Sequence, residues 1–176
     1  MNFKVKNFPL IEFNQMIKGK IKRGTYKSKK KCGKGTKIIK LDDLYKNAKI
    51  GHFEMERVEL NEKEIAKYLL MPGDLLFSRT SLKVNDAGKC SLFIGDYEPV
   101  VHDSNIISVR LDNNISYPEF YLHYFNSKFG LNAINKIHIG TKSRSISVPL
   151  LMNLHVPLPP LNHQKFVANV LSDIDN

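Results

Sequence analysis

Ten consecutive residues, Met-Pro-Gly-Asp-Leu-Leu-Phe-Ser-Arg-Thr (Met71 to Thr80), constrain the fold of this chain more than any other stretch. Pro72 and Gly73 predict a tight turn, and Asp74 is placed to cap the backbone donors that follow it. Leu75, Leu76 and Phe77 form an apolar run too short for a buried helix, so a core strand is expected. Polarity then flips: Ser78, Arg79, Thr80 and Ser81 come straight off the strand end. An arginine between hydroxyls at the edge of a rigid element is a well-held recognition group. What Arg79 faces is therefore the question put to the rest of the chain.

Around that stretch the pattern reads as α+β. Residues 8 to 17 suggest a short opening helix or strand, and the glycines at 19, 24, 33 and 35 mark a loop over about 18–35. From Thr36 the run Lys-Ile-Ile-Lys-Leu predicts a strand, with a second short one over Val58 to Leu60. Asn61 with Glu64 forms a capping-box pattern opening a helix over Glu62 to Leu70, which Pro72 and Gly73 stop. Further strands are expected over Lys89 to Gly95 and Asn105 to Leu111, with a polar loop at Ser81 to Gly88 and a turn at Asp96 to Pro99. Ser116 and Glu119 repeat the capping pattern before a helix of Tyr117 to Asn126. A second helix covers Phe129 to Ile137, and a short one is expected after Ser147. Val156 to Pro160 must be extended because of its prolines. Leu161 to Asn176 is an amphipathic helix. The expected architecture is one domain of short twisted strands and packed helices over residues 1–160, followed at 161–176 by the start of a coiled-coil-like helix.

Charge narrows the partner. The chain carries a net charge of +10, yet between Phe13 and Leu41 lie eleven basic residues and no acidic one. Outside that segment basic and acidic residues nearly cancel, so the excess sits in one place. Lysine runs commonly end as solvated loops. Uncompensated positive charges repel one another, however, and phosphates relieve that repulsion. A polyanion is the expected partner, with Lys20, Lys22, Arg23, Lys27, Lys29, Lys30, Lys31 and Lys34 gripping phosphates. Lysines position a protein on nucleic acid; forked groups such as Arg23, Arg79 and Arg144 read bases.

Catalytic patterns are missing. No Asp or Glu is followed two positions later by Lys, which removes the carboxylate-x-lysine element of many metal-dependent nucleases. Gly33-Lys-Gly-Thr36 lacks the spacing of a phosphate loop. The six histidines show no metal-ligand spacing, and no glycine fingerprint for a cofactor follows a strand. Cys32 and Cys90 sit in unlike surroundings, which fits a reducing cytosol rather than a disulfide framework. With no apolar signal region and no long apolar run, a cytoplasmic, non-catalytic protein without cofactor or metal is expected.

The C-terminal helix carries Val167, Val170 and Ile174 at spacings of three and four, with Phe166 and Leu171 beside them. That is the beginning of a coiled-coil seam, or a face that packs on the domain itself.

Several motifs in order now become specific. Met71 to Thr80, Gly88-Lys89, and Glu98-Pro-Val-Val-His-Asp-Ser-Asn-Ile-Ile-Ser-Val-Arg110 resemble the target-recognition domain of type I restriction–modification specificity subunits. Pro118 to Leu122 with Asn126-Ser127, Gly140-Thr141 leading to Ser145 to Val148, and Val156 to Leu161 with Gln164 continue the resemblance, which covers roughly residues 36 to 174. It implies a non-catalytic reader of one half of a split double-stranded DNA target through the major groove. Partner methyltransferase (modification) subunits and a restriction subunit would supply methyl donor, ATP and chemistry. In the family the proline-rich exit leads into a long spacer helix that binds the methyltransferase; Phe166, Val167, Val170 and Ile174 occupy that position. Specificity subunits usually carry two recognition domains, so a half-subunit that dimerises, a truncated product or a fragment is expected. His163 stands where relatives often have an acidic residue.

The expected groove face is Arg79, Thr80, Ser81, Lys83, Lys142, Ser143 and Arg144, beside the phosphate-gripping Lys20 to Lys34. The alternative is a protein-interaction module that docks on a methyltransferase without reading DNA.

Overall fold

The Leu75–Phe77 run is apolar at every position because both of its faces are covered. It forms strand β6 (Leu75–Ser78, strands numbered in chain order), buried throughout, at the centre of a five-stranded sheet. The order across that sheet is β2 (Lys22–Arg23), β10 (Ile106–Val109), β6, β8 (Cys90–Gly95) and β4 (Lys49–Gly51). Both neighbours of β6 are antiparallel to it, while β4 runs parallel to β8. The computed structural model describes residues 8–19, 21–26, 32–81, 87–140 and 144–174.

Side chains alternate between two cores. Leu75, Phe77, Cys90, Leu92, Ile107 and Val109 point to one face. There they meet Phe13 and Met16 of a 3-10 turn (Phe13–Met16) and Tyr121, Leu122 and Phe125 of helix α3 (Pro118–Asn126). Phe77 sits edge-on to Phe125 at 4.9 Å and to Phe13 at 6.1 Å between ring centroids. Leu76, Phe93 and Ile106 point the other way, against Ile39, Leu44 and Val100. Those come from a second sheet, β5 (Glu56–Val58), β3 (Cys32–Ile39) and β9 (Val100–His102), and from helix α1 (Leu41–Lys46). Helix α2 (Glu62–Tyr68) packs on β9, and α4 (Lys128–Lys136) on α3. A two-stranded ribbon joins the chain's two ends: β1 (Leu10–Glu12) runs antiparallel to β12 (His155–Pro157). Helix α5 (Val148–Met152), capped by Ser147, precedes it and α6 (Leu161–Ile174) follows. Among the described residues no helix is long and apolar enough to cross a membrane.

The α+β expectation holds, and so does the Asn61–Glu64 capping box, with reciprocal bonds of 2.9 and 3.1 Å. Several local expectations do not. Residues 10–16 divide into β1 and a 3-10 turn instead of forming one element. The loop expected over 18–35 contains β2, and β3 begins at Cys32 rather than Thr36. Its register slips against Val58 between Cys32 and Thr36, and Gly35 (φ +89°) permits the approach, since a Cβ there would lie 2.7 Å from the Val58 carbonyl oxygen. Leu41 opens α1, where Asp43 accepts the Lys40 N–H at 2.8 Å, instead of ending a strand. Strand β9 was not expected at all; Val100 to His102 pair in parallel with Lys37 to Ile39.

Two capping expectations are corrected by their bonds. Asp74 accepts from the preceding Met71 N–H at 2.9 Å, not from following donors, and its carboxylate is clamped by Arg110 through two bonds of 2.7 Å. Ser116 does not cap α3: its hydroxyl is buried without a partner among the described residues, while Glu119 turns to Tyr117 and Lys49.

Candidate nucleic-acid interface

The antiparallel register of β6 with β10 puts Ser78 opposite Ile106, so the end of one strand is the beginning of the next. On the outer side of β10, Arg23 of β2 stands opposite Ile107. The basic segment thus joins the sheet as its edge strand, running from Lys18 beside Arg110 toward the end from which Arg79 emerges. Gly24 makes the path possible, because a Cβ there would overlap the His102 carbonyl oxygen at 1.9 Å. Just beyond, Thr25 N–H donates to the His102 carbonyl at 2.9 Å, and Ser104 N–H donates back to Thr25 at 2.9 Å. Tyr26, next along, is 79 % exposed.

Past Ser78 the chain turns into a small ribbon, β7 (Thr80–Ser81) against β11 (Arg144–Ser145), with Arg144 opposite Ser81. The Arg79 N–H donates to the Asn105 carbonyl at 2.7 Å, and the Arg79 carbonyl accepts from Ile146 N–H at 2.8 Å. Three pieces far apart in sequence, Arg23, Arg79 to Ser81 and Arg144, are therefore gathered at one end of the central sheet. The Arg79 guanidinium is only partly covered. Its Nη2 donates to Asn105 Oδ1 at 3.4 Å, and its buried Nε has no partner among the described residues. Among the described residues Arg79 forms no ion pair. Thr80 Oγ1 donates to the same Asn105 Oδ1 at 3.3 Å, and Asn105 N–H is anchored on Asp103 Oδ1 at 2.9 Å.

Asn105 and His138 are site residues that sequence reasoning missed. His138 Nε2 lies 3.0 Å from the Ala87 carbonyl, which fixes the proton on that nitrogen and leaves Nδ1 to accept from Arg144 Nη1 at 3.5 Å. Neither role has a local signal. Asn105 was visible only as part of a longer motif, and His138 becomes an Arg144 partner only once β7 and β11 pair.

Carboxylates already engage part of the basic segment, Asp103 at this end and Asp96 at the opposite end of the sheet, which alters the charge count. Lys37, only 8 % exposed, binds Asp96 at 2.9 Å, and Lys40 binds Asp103 at 3.1 Å. The Asp96 hydrogen bond holds the Lys37 ammonium above its ordinary range. Burial alone would raise Asp96, but the bonds from Lys37 and from the Glu98 and His52 amides leave it below the usual carboxylate range. Two of the eleven lysines and arginines in the basic segment thus find carboxylates in the fold, contrary to a wholly uncompensated arm. His102, fully buried beneath that segment, has its pKa pushed down to about 4 by burial.

Other expected residues are placed differently. Lys22 lies in β2, its carbonyl 3.5 Å from the Ser108 hydroxyl. Lys34 is exposed near the start of β3, away from Ile39, the strand end that joins Asp103 and hence the Arg79 cluster. Lys20, Lys27, Lys29, Lys30, Lys31, Lys83, Lys142 and Ser143 lie outside the described residues, and Ser81 is placed only by its backbone pairing. Among the described residues no group of three or more His, Cys, Asp or Glu could hold a metal ion. Cys90 is a core thiol whose pKa burial drives well up.

Helix α6 has two faces. Gln164 and Ala168 are fully buried against the domain, whereas Phe166 is 67 % and Val170 44 % exposed. Gln164 is the pin: its Oε1 accepts from Tyr117 N–H at 2.8 Å, and its Nε2 donates to the Ile115 and Pro159 carbonyls at 2.9 and 2.7 Å. It holds the backbone of Tyr117, the residue before α3, against α6. Val167 is half-buried, and Ile174 is the helix's last residue.

The family described as type I restriction modification DNA specificity domain matches residues 4–176. The chain is 35 % identical over 131 residues to the specificity subunit assigned to the type I restriction enzyme MjaX of Methanocaldococcus jannaschii, covering 73 % of this chain and 29 % of that protein. It is 25 % identical over 167 residues to the type I restriction enzyme EcoKI specificity subunit of Escherichia coli, covering 92 % of this chain and 34 % of that one. It spans about a third of the length of these curated relatives. In fold it is similar to the HsdS subunit from Thermoanaerobacter tengcongensis, with a TM-score of 0.64 at 15 % identity, over 99 % of this chain and 40 % of that one. A chain from a structure concerned with complex assembly and conformational transition of the type I R-M system gives 0.67 at 14 % identity, with 99 % and 40 % covered. From the strand-end motif through the α6 pin to the match over residues 4–176, the chain belongs to the type I restriction modification DNA specificity domain family.

Proposed function

We propose that this chain binds double-stranded DNA sequence-specifically, as the target-recognition component of a type I restriction–modification system in the cytoplasm. The observation that carries the reading is the gathering of Arg23, the Arg79–Ser81 strand end and Arg144 at one end of the central sheet. The segment that holds the chain's entire excess charge reaches that same end at Arg23 to Thr25. Forked donors on rigid strands suit base edges, and flexible lysines suit phosphates. The chain supplies no catalytic group in this reading; modification and restriction subunits act on the DNA it selects.

The phosphate-gripping part is tested by salt. Lys29/Lys30/Lys31→Ala should weaken binding to every duplex alike and reduce the slope of log affinity against log salt by roughly 3, at about 0.9 per phosphate contact. An unchanged slope would remove those lysines from the interface.

The exposed Phe166 and Val170 favour a second reading for α6, a surface that docks on a methyltransferase subunit or on a second copy of this chain. Phe166→Asp should abolish co-purification with the methyltransferase while leaving duplex binding intact. If instead the chain co-purifies but shifts no duplex at either low or physiological salt, it is an interaction module only.

A further inference from the structure

Asn105 was not among the expected site residues, yet it decides what Arg79 can read. Its Oδ1 accepts from both Arg79 Nη2 and Thr80 Oγ1. Those two donors fix the orientation of the amide, since the flipped form would set N–H against N–H. Asn105 is itself held from behind: its N–H sits on Asp103, whose carboxylate is tied to Lys40. With the amide oxygen occupied, the group that Asn105 can still offer is its Nδ2, a donor. The Arg79 guanidinium offers donors only, and no described carboxylate neutralises it. The Arg79 fork and the Asn105 Nδ2 therefore present donors, and the Asn105 oxygen beside them is already used.

We infer that Arg79, positioned by Asn105, reads a guanine in the major groove. This rests on the DNA-reading function proposed above and specifies it. Guanine shows two acceptors there, N7 and O6, and no donor. Adenine pairs its N7 acceptor with an N6 donor that would need the Asn105 oxygen, cytosine shows a donor, and thymine a single acceptor beside a methyl group. A guanine edge is the one that satisfies the Arg79 fork, which offers donors alone. Asn105 acts as a positioning residue: it sets the plane of the fork and denies adenine its acceptor.

The test begins with duplexes that the purified full chain selects from a random pool. The selected site should contain an invariant guanine whose replacement by 7-deazaguanine weakens wild-type binding by roughly tenfold to a hundredfold. Inosine, which keeps N7 and O6, should be tolerated at that position. Arg79→Lys preserves the charge but loses the fork, and it should lose the 7-deazaguanine effect. Asn105→Asp places a carboxylate against Arg79 and should lower the guanine preference in the same way. An unchanged 7-deazaguanine effect in Arg79→Lys, or sensitivity to 7-deazaadenine instead, overturns the assignment while leaving DNA reading intact. A pool that shows no enrichment overturns both.

Discussion

Replacing Gln164 by Leu should loosen the whole C-terminal helix from the domain. The side chain is fully buried and makes three hydrogen bonds, to Tyr117 N–H and to the Ile115 and Pro159 carbonyls. Leucine fills nearly the same space, so the loss is one of hydrogen bonding rather than of volume. Leaving a buried donor unsatisfied costs about 1–3 kcal/mol, and each carbonyl adds on the order of 0.5–1 kcal/mol, for a total of about 3 kcal/mol. In a chain of this size that corresponds to a fall in Tm of roughly 6–12 °C. Thermal unfolding by circular dichroism reads the total, and amide exchange along 161–174 reads whether α6 undocks first. Gln164→Glu sharpens the case. An ionised carboxylate would face two carbonyl oxygens, so it should be worse than Leu at pH 8 and should recover toward pH 5, where the protonated acid can donate to one of them. A Leu variant within about 2 °C of wild type, with α6 exchange unchanged, would refute the view that Gln164 pins the helix.

Two further outcomes follow from the core. Phe77→Ala, deep between Phe13 and Phe125, should cost about 3–5 kcal/mol, read as a lower urea midpoint with an unchanged slope. His102 is buried neutral with its pKa pushed down to about 4. The unfolded chain takes up that proton below its ordinary value near 6.5 and the folded chain does not, so stability should fall as pH drops from about 6.5 to 4, by about 3 kcal/mol in all. His102→Leu should flatten that window while leaving the further acid loss, due to carboxylates such as Asp96, in place below it.

Much of this fold is written locally. The Leu75–Phe77 strand, the Asn61 cap, the helices after Tyr117 and Ser127 and the extended Val156 to Pro160 each carry a short-range cause, whether an apolar run, a side-chain acceptor or a proline. What escaped depends on partners distant in sequence. Val100 to His102 becomes a strand only because Lys37 to Ile39 lie beside it in parallel, and Lys37 is buried only because Asp96, 59 residues on, meets it. Ser116 and Glu119 have the spacing of a cap, yet Glu119 is drawn to Lys49 far away in sequence and Gln164 from α6 takes the Tyr117 N–H. In the candidate site the arginines were legible from charge and strand ends. The Asn105 and His138 roles were not, because both arise from the register of β6 with β10 and of β7 with β11.

The central claim is that the end of the sheet bearing Arg79 reads DNA. Selection of duplexes from a random pool by the purified chain at physiological salt tests it most directly. Wild type should enrich one short motif, prefer it over a scrambled duplex, and lose discrimination at one base pair of it on Arg79→Ala substitution. A recovered pool as random as the input, or an Arg79→Ala variant that selects the same motif undiminished, would contradict it.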